Sequence, residues 1–373
     1  MSLIATRLQN WRVQNPNFDK NMTRPCEYGA LDFFVGQTNA ANSILSPELK
    51  ERAFASMGNT VQVPVISYDG DVTVSNIRSC VITDNENTSA LYTVVWATYA
   101  VGFTMVPTLY LNNEISYEHD FNRKLEKVSR ALANALDQAA VTALEAKKTG
   151  VFQESLYYDT TSGTVEVPWD MRTEILSDVN SMMRANCYPG QIHIIGNAGV
   201  DSTLRKLAEH GLYNDVNKQL EYADKIIHFT NNVANDTGMF GTFFAVEDGN
   251  VGMLTRVDRE ALVRGMANGH EWDQVVLPYL GDVVVGSHYY TAVGDFSGIA
   301  GAASEDMTCV RKEYFGFSVD VAFIVAYNSD EETIAQPIIK AEIASSVAPN
   351  PMAKPVFITN DEDTPVPTQE VSE

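Results

Sequence analysis

Cysteine is scarce and scattered in this chain. Cys26, Cys80, Cys187 and Cys309 form no C-x-x-C pair and have no histidine at metal-ligand spacing, which argues against a structural zinc site and a disulfide framework. Buried thiols in a reducing, intracellular compartment are the expectation. Positive charge is short too: 26 Lys and Arg stand against 48 Asp and Glu, a formal net charge of −22. No basic run occurs, and sequence-specific nucleic-acid binding needs clustered cations against phosphate, so that class is disfavoured. An acidic surface suits a protein that stays soluble at high concentration or must not adhere to nearby DNA; it suits an ordinary acidic soluble protein equally. The opening MSLIATRLQNWRVQN has no apolar core of signal-peptide length. The Asn-x-Ser/Thr triplets at Asn21, Asn87 and Asn235 are therefore read as chance.

Recognisable chemistry is also missing. There is no G-x-x-x-x-G-K-[ST] phosphate loop, no G-x-G-x-x-G, no H-E-x-x-H and no G-x-S-x-G. GDFSGIAGAAS, from Gly294 to Ser304, is glycine-rich, but its spacing is wrong for a nucleotide loop and no clear helix follows, so a plain loop is expected. The six histidines, His119, His193, His210, His228, His270 and His288, are dispersed, with no two on one helical face. Asp361, Glu362 and Asp363 read as a solvated acidic tail rather than a cation site. The expectation is a non-enzymatic chain with no catalytic, cofactor-binding or metal-ligating residues; a soluble α/β enzyme with a site assembled in space is the alternative.

What is present is a frame. The chain has 373 residues and is 45% hydrophobic, enough for a sizeable core in one to three domains. Ala90 to Leu111 is uncharged. Its length would allow a membrane span, but Thr93, Val94, Val95, Thr98, Val101, Thr104 and Val106 are β-branched, and Tyr92, Trp96, Tyr99 and Phe103 are aromatic, which favours extended chain. Gly102 and Pro107 would interrupt a helix, and no flanking Lys/Arg cluster marks a cytoplasmic side. Tyr117 to Thr149 then predicts one amphipathic helix about 50 Å long. Phe121, Leu125, Val128, Leu132, Leu136, Ala139 and Ala143 recur at steps of three and four; Arg123, Lys124, Lys127, Arg130, Asn134, Asp137 and Gln138 fall largely elsewhere. Ser116 is the expected N-cap, Lys147 and Lys148 lie in the last turn, and Gly150 is the expected stop. One apolar stripe means the helix lies across something rather than threading a core.

Around this frame the texture varies. Residues 1–57 are weakly periodic and read as an arm that orders against something else, apart from a short helix from Ser46 with Pro47 at its first position. Thr60–Tyr68 and Val72–Ile82 are β-rich, with Asp69-Gly70-Asp71 between them as a turn, and 58–100 reads as a projecting hairpin that needs a partner surface. YYDTTSGTVEVPW marks a β-turn region. Pro168–Cys187 predicts a second amphipathic helix with Met171, Ile175, Leu176, Val179, Met182 and Met183 on its apolar face. Gln191–Gly199 predicts a buried strand and Val200–Gly211 a third helix. Later runs, KIIHFTNNV, GTFFAVEDGNVGMLTR, DQVVLPYLGDVVVGSHYY and EYFGFSVDVAFIVAY, predict strands of a mixed or antiparallel sheet in an α/β lobe. From Ser345 the chain is polar, Pro-rich and acidic.

This order of parts resembles the major capsid protein of tailed bacteriophages, of the Hong Kong-phage-type capsid fold also found in encapsulins. The stretches that carry the likeness are SPELKERAFASMGNTVQVPVI, TMVPTLYLNNEISYEHDFNRKLEKVSRALANALDQAAVTALEAKKT and QIHIIGNAGVDSTLRKLAEHG, and it spans roughly Ser46 to Ala344. The resemblance implies an α+β fold in six parts: an N-terminal arm (1–57), an extended β-hairpin loop (58–100), a peripheral domain (101–164) with a spine helix (117–149), an α/β axial domain (165–307), a return to the peripheral domain (308–344) and an acidic C-terminal tail (345–373). It implies self-assembly into hexamers and pentamers of an icosahedral head, with subunits meeting through the arm and the loop. Packaged double-stranded DNA would be touched weakly and without specificity, and portal and decoration proteins would be further partners. The virion would be the location, after assembly in the host cytoplasm, with no membrane involved. An encapsulin-like cellular compartment is the alternative within the same fold. The short arm implies a separate scaffold protein, or none, and no residue matches the crosslinking chemistry of some family members.

Overall fold

The computed structural model describes residues 3–14, 28–56, 61–66, 89–110, 116–161, 163–208, 221–222, 225–294, 310–326 and 334–345. The expected turn at Asp69–Asp71, the strand at Val72–Ile82, residues 295–304 and the tail from 346 onward lie outside them. In chain order the elements are helices α1 (Leu3–Gln14), α2 (Gly29–Asn39) and α3 (Pro47–Phe54), strands β1 (Gln62–Ile66), β2 (Ser89–Thr93) and β3 (Ala97–Met105), and helix α4 (Tyr117–Ala146). There follow β4 (Asp159–Thr161), β5 (Thr164–Val167), α5 (Ile175–Ala185), β6 (Ile192–Gly196), α6 (Ala198–Ala208), β7 (Glu221–Tyr222), β8 (Lys225–Phe229), β9 (Met239–Glu247) and β10 (Val251–Arg256). The chain continues with α7 (Arg259–Val263), β11 (Gly265–Ala267), β12 (His270–Val276), β13 (Val284–Gly294), β14 (Val310–Val325) and β15 (Ile338–Ala344).

The α+β character expected from the sequence is present, as two large sheets and a two-stranded ladder. In the first sheet β14 is central. Ser318 pairs with both Gly286 of β13 and Ala100 of β3, and Asp320 with both Arg256 of β10 and Thr98 of β3. So β3 lines one edge of β14, while β13 and then β10 share the other; β12 and β11 continue outward from β13. The second sheet runs β4-β5-β15-β9-β6-β8-β7 and is mixed, with β15 parallel to β5 and β6 parallel to β8. Both its faces are covered. Ile175, Leu176, Val179, Met182 and Met183 of α5 pack with Val165, Ile194, Phe243 and Ile339, while Ile195, Phe244, Val246 and Ile338 join the core that holds α4.

These sheets cut across the boundary expected at 307/308. Strands β10–β13 pair into the sheet of β3 and β14, and β15 sits in the middle of the other sheet. The segment 308–344 therefore does not return to one place; it passes from one sheet to the other, as β9 and β10 also do.

The long helix is there, three residues shorter than expected. Ser116 caps it, accepting a hydrogen bond from the His119 N–H at 3.2 Å. Its end is set by Thr149 rather than Gly150: the Thr149 N–H donates to the Ile338 carbonyl at 2.7 Å, and its hydroxyl accepts from the Gln336 N–H at 3.1 Å. The chain is captured by the entry to β15 before a glycine stop is needed. The buried stripe is Phe121, Leu125, Val128, Leu132, Leu136, Ala140 and Leu144, not Ala139 and Ala143, because the last steps continue at four residues.

Three further differences follow from packing. The uncharged segment is not one strand: β2 and β3 are parted at Val94, which is 4% exposed and lies in a cluster with Leu45, Leu49, Val61, Leu254 and Ile324, and Pro107–Tyr110 is a 3-10 turn. The second amphipathic helix begins at Ile175; Trp169–Met171 is a 3-10 turn and Met171 is half-buried. Finally, α2 is a helix the weak periodicity of residues 1–57 does not announce. Leu31, Phe33 and Phe34 are no more than 1% exposed, and α2 packs on α4, on β10 of the first sheet and on β8 of the second. Ser46 and Pro47 start α3 as expected, with the Leu49 N–H donating to the Ser46 hydroxyl at 3.2 Å.

Candidate functional site

No residue was expected to carry chemistry, so the candidate sites are those that folding assembles. The histidines are the first surprise: four of the six come together as two pairs. His193 of β6 and His228 of β8 lie on parallel neighbours, with Nδ1 of the first 3.1 Å from Nε2 of the second. Phe33 covers both, at ring distances of 4.9 and 5.3 Å. On the outer side Nε2 of His193 is 3.4 Å from the Gln37 amide nitrogen and 3.5 Å from an Asp248 oxygen. Burial disfavours the charged form of both rings: His193 is shifted below the usual histidine range, and His228 down to about 3, with repulsion from His193 as a second cause.

This pair sits where the chain changes sheets. Asp248, Gly249 and Asn250 form the turn between β9 and β10. The Gly249 N–H donates to the Gln37 side-chain oxygen at 2.8 Å, and the Asn42 amide donates to Asp248. At the other end of α2 a buried carboxylate network makes the second contact. Asp137 of α4 accepts from the Leu31 N–H at 2.9 Å, from the Asn232 amide at 2.7 Å and from the Thr230 hydroxyl. Burial pushes Asp137 up despite those donors, and pushes Asp32 up to about 7, with the Asp137 charge adding to it.

The second histidine pair is on the outer face of the first sheet. His270 and Trp272 of β12 stand beside Tyr290 and His288 of β13, by the register His270↔Tyr290 and Trp272↔His288. His270 Nδ1 and His288 Nε2 are 2.8 Å apart. The rings stack: Trp272 on His288 at 5.1 Å, His270 on Tyr290 at 4.8 Å and Tyr290 on Tyr314 of β14 at 4.5 Å. Lys312 lies over Tyr314 at 5.3 Å.

On the opposite face, α1 docks over a cleft of about 720 Å³ lined by Arg7, Trp11, Tyr117, Phe121, Tyr289 and Arg311 among others. Glu313, 4% exposed, ties three of these side chains together: it accepts from Arg311 at 3.1 Å, from Tyr289 at 3.3 Å and from Tyr117. Arg7 stacks over the Tyr117 ring at 4.7 Å. Arg7, Arg311 and Glu313 each have a partner of opposite sign and a hydroxyl, so the cleft reads as the anchorage of α1.

The ladder β1–β2 is the remaining feature. It pairs Gln62 with Thr93 through to Ile66 with Ser89 and, among the described residues, joins no other strand. Its base is fixed: Val61 and Val63 are buried with Val94, the Val94 N–H donates to the Val61 carbonyl at 2.9 Å, and Trp96 lies under the Arg256 guanidinium at 4.4 Å.

Cys187, expected to be buried, is exposed and free, at a left-handed φ of 69° just past the end of α5. Among the described residues no three His, Cys, Asp or Glu side chains converge to hold a metal, and no helix is long and apolar enough to cross a membrane.

No protein-family model matches the chain, and no curated protein matches it significantly. Among solved structures it is similar to a chain of Mycobacterium phage Che8 (12% identity, 80% of this chain and 89% of that one, TM-score 0.47). It is also similar to a chain of the cyanophage Pam1 capsid asymmetric unit (11%, 85% and 92%, TM-score 0.44) and to one of the capsid of cyanophage P-SCSP1u (11%, 78% and 84%, TM-score 0.42). These neighbours are phage structures, two of them described as capsids.

Proposed function

We propose that the chain is a structural shell subunit, the major capsid protein of a tailed phage, which assembles as hexamers and pentamers into an icosahedral head around double-stranded DNA. The observation that carries this reading is the β1–β2 ladder, rooted in the body at Val61, Val63 and Val94 and paired with no other described strand. Two strands alone are marginal in water, and their unpaired edges invite another chain. A lattice of identical subunits supplies a surface for that ladder at every position.

The long helix α4 supports the same reading, because a rod of this length stiffens a plate, and only its first turns line the cleft under α1. On this proposal residues 1–57 act as the arm, 58–100 as the lapping loop, α4 as the spine of the plate and 345–373 as an acidic tail. The Hong Kong-phage-type topology, a separate scaffold, a portal, decoration proteins and assembly in the host cytoplasm belong to the same proposal. The test is negative-stain microscopy of the chain expressed with and without neighbouring head genes, together with sedimentation. Particles with five- and six-fold rings are expected. A monomer that persists at high concentration with scaffold supplied would refute the proposal, and particles holding a cargo enzyme in place of DNA would favour a cellular compartment.

A further inference from the structure

We infer that His270 and His288 form a surface binding site for a divalent first-row transition-metal ion that prefers imidazole, such as copper or zinc. The two residues lie on neighbouring strands as a diagonal pair on one face, since each is directly opposite the other's aromatic neighbour. Diagonal partners are within reach of long and aromatic side chains, and here the ring nitrogens stand 2.8 Å apart with ring planes only 14° from parallel. Two imidazole nitrogens bound tetrahedrally to zinc at about 2.05 Å would stand about 3.3 Å apart. Turning the hydrogen bond into a chelate takes an opening of about half an ångström and a rotation of each ring by about 35°, so that both lone pairs meet at the ion.

The surroundings suit an ion. Trp272 and Tyr290 wall the pair and hold both rings upright, so little rotamer freedom is left to lose. One proton bridges the two nitrogens in the hydrogen bond. On ligation that proton leaves the bridge, by exchange with water, for the same ring's other nitrogen. The Asp258 carboxylate overhangs the same face two residues along β13, where a Cβ at Gly286 would meet its Oδ1 at 2.9 Å, and adds a negative field. With two protein ligands the remaining positions fall to water, so the ion is exchangeable. The other pair, His193 and His228, is roofed by Phe33 and flanked by Gln37 and offers an ion no open approach.

The experiment is calorimetric titration of the full chain with zinc and, separately, copper chloride at pH 7.5. One ion per chain is expected, with copper tighter than zinc. His270→Gln and His288→Gln should each weaken binding by about tenfold or more, while His119→Gln, at an exposed position on α4, should leave it unchanged. Copper should also quench the fluorescence of Trp272, and that component should vanish in Trp272→Phe. Binding that survives both glutamine variants, or none below millimolar ion, overturns the site. Should a variant fail to fold, broadening of histidine resonances in the parent chain by substoichiometric copper decides: two of the six affected supports the site, and none or all overturns it.

Discussion

Asp32 of α2 and His228, packed against that helix through Phe33, should make opposite, nearly cancelling contributions to stability across mildly acidic pH. Asp32 is held near 7 in the fold by burial and by the Asp137 charge, against an unfolded value near 4. Between those values the folded chain keeps a proton that the unfolded chain has lost. Stability from this group is complete below about pH 4 and falls as pH rises through 7, by about 1.4 kcal/mol per unit. His228 is the reverse: depressed to about 3 by burial, it contributes stability that is complete above its unfolded value of about 6.5 and is lost as pH falls toward 3, with the same slope and opposite sign. The windows overlap from about pH 4 to 6.5, where the sum is nearly flat, although each group alone would move stability by about 3 kcal/mol over that range. Asp137 and His193 are shifted in the same respective directions.

Asp32→Asn and His228→Gln separate the two effects. Urea unfolding of the parent and both variants at pH 4.5, 5.5 and 6.5, followed by tryptophan fluorescence, gives stability-against-pH curves whose differences report each group together with its coupled neighbour, Asp137 or His193. The Asn variant should gain stability relative to the parent as pH rises, and the Gln variant should lose it, each by about 1.4 kcal/mol per unit. Difference curves that stay level with pH in both variants would refute the reasoning, and with it the placement of both groups against α2.

Two glycines of similar appearance should behave in opposite ways. Ala at 199 would put its Cβ 2.1 Å from the Phe240 carbonyl oxygen, a backbone atom that cannot rotate aside, so Gly199→Ala should cost about 3 kcal/mol or prevent soluble expression; Gly36→Ala, inside α2 with nothing within 4 Å, should raise the unfolding midpoint by roughly 0.5–1 kcal/mol equivalent. Thr149→Val should lower stability by about 2 kcal/mol, because it strands the buried Gln336 N–H and the Val151 carbonyl, while Thr149→Ser restores most of it; equal losses in the two variants, read by thermal unfolding, would assign the effect to shape rather than to hydrogen bonding.

What the sequence carried locally, it carried well, and what required partners it did not. The apolar stripe of α4, the Ser46 and Ser116 caps and the face of α5 depend on spacing within a dozen residues. Asp137 shows the limit. It sits among polar residues on the helix and reads as solvent-facing, yet it is fully buried, because its donors come from Leu31 and from Thr230 and Asn232, about a hundred residues away on either side. Helix α2 has two glycines and four polar residues in GALDFFVGQTN, a poor intrinsic helix former; tertiary burial of Leu31, Phe33 and Phe34 sustains it. The outer histidine pair did leave a trace. His270 and Trp272, like His288 and Tyr290, alternate with period two, which puts each pair on one strand face. Only the register of β12 on β13 brings the two faces together, and composition does not encode register.

The position of α2 gives these misses a common cause. The chain crosses between its sheets at the β9–β10 turn and again between β14 and β15, and α2 packs against both sheets and α4 near the first crossing. A helix at such a joint cannot be amphipathic in the ordinary way, since it has neighbours on nearly every side. Polar side chains there must find partners inside the protein: Gln37 with Gly249, Thr38 with the Met253 N–H at 2.7 Å, and the Leu31 N–H with Asp137. Hydrogen bonds of this kind are directional, so they fix the angle between sheets more tightly than apolar contact would. The same enclosure shifts Asp32, Asp137, His193 and His228 from their ordinary ranges. Unusual protonation at α2 is thus a consequence of joining two sheets through one helix, and replacing Gln37 or Thr38 should disturb the angle between the sheets before it disturbs either sheet.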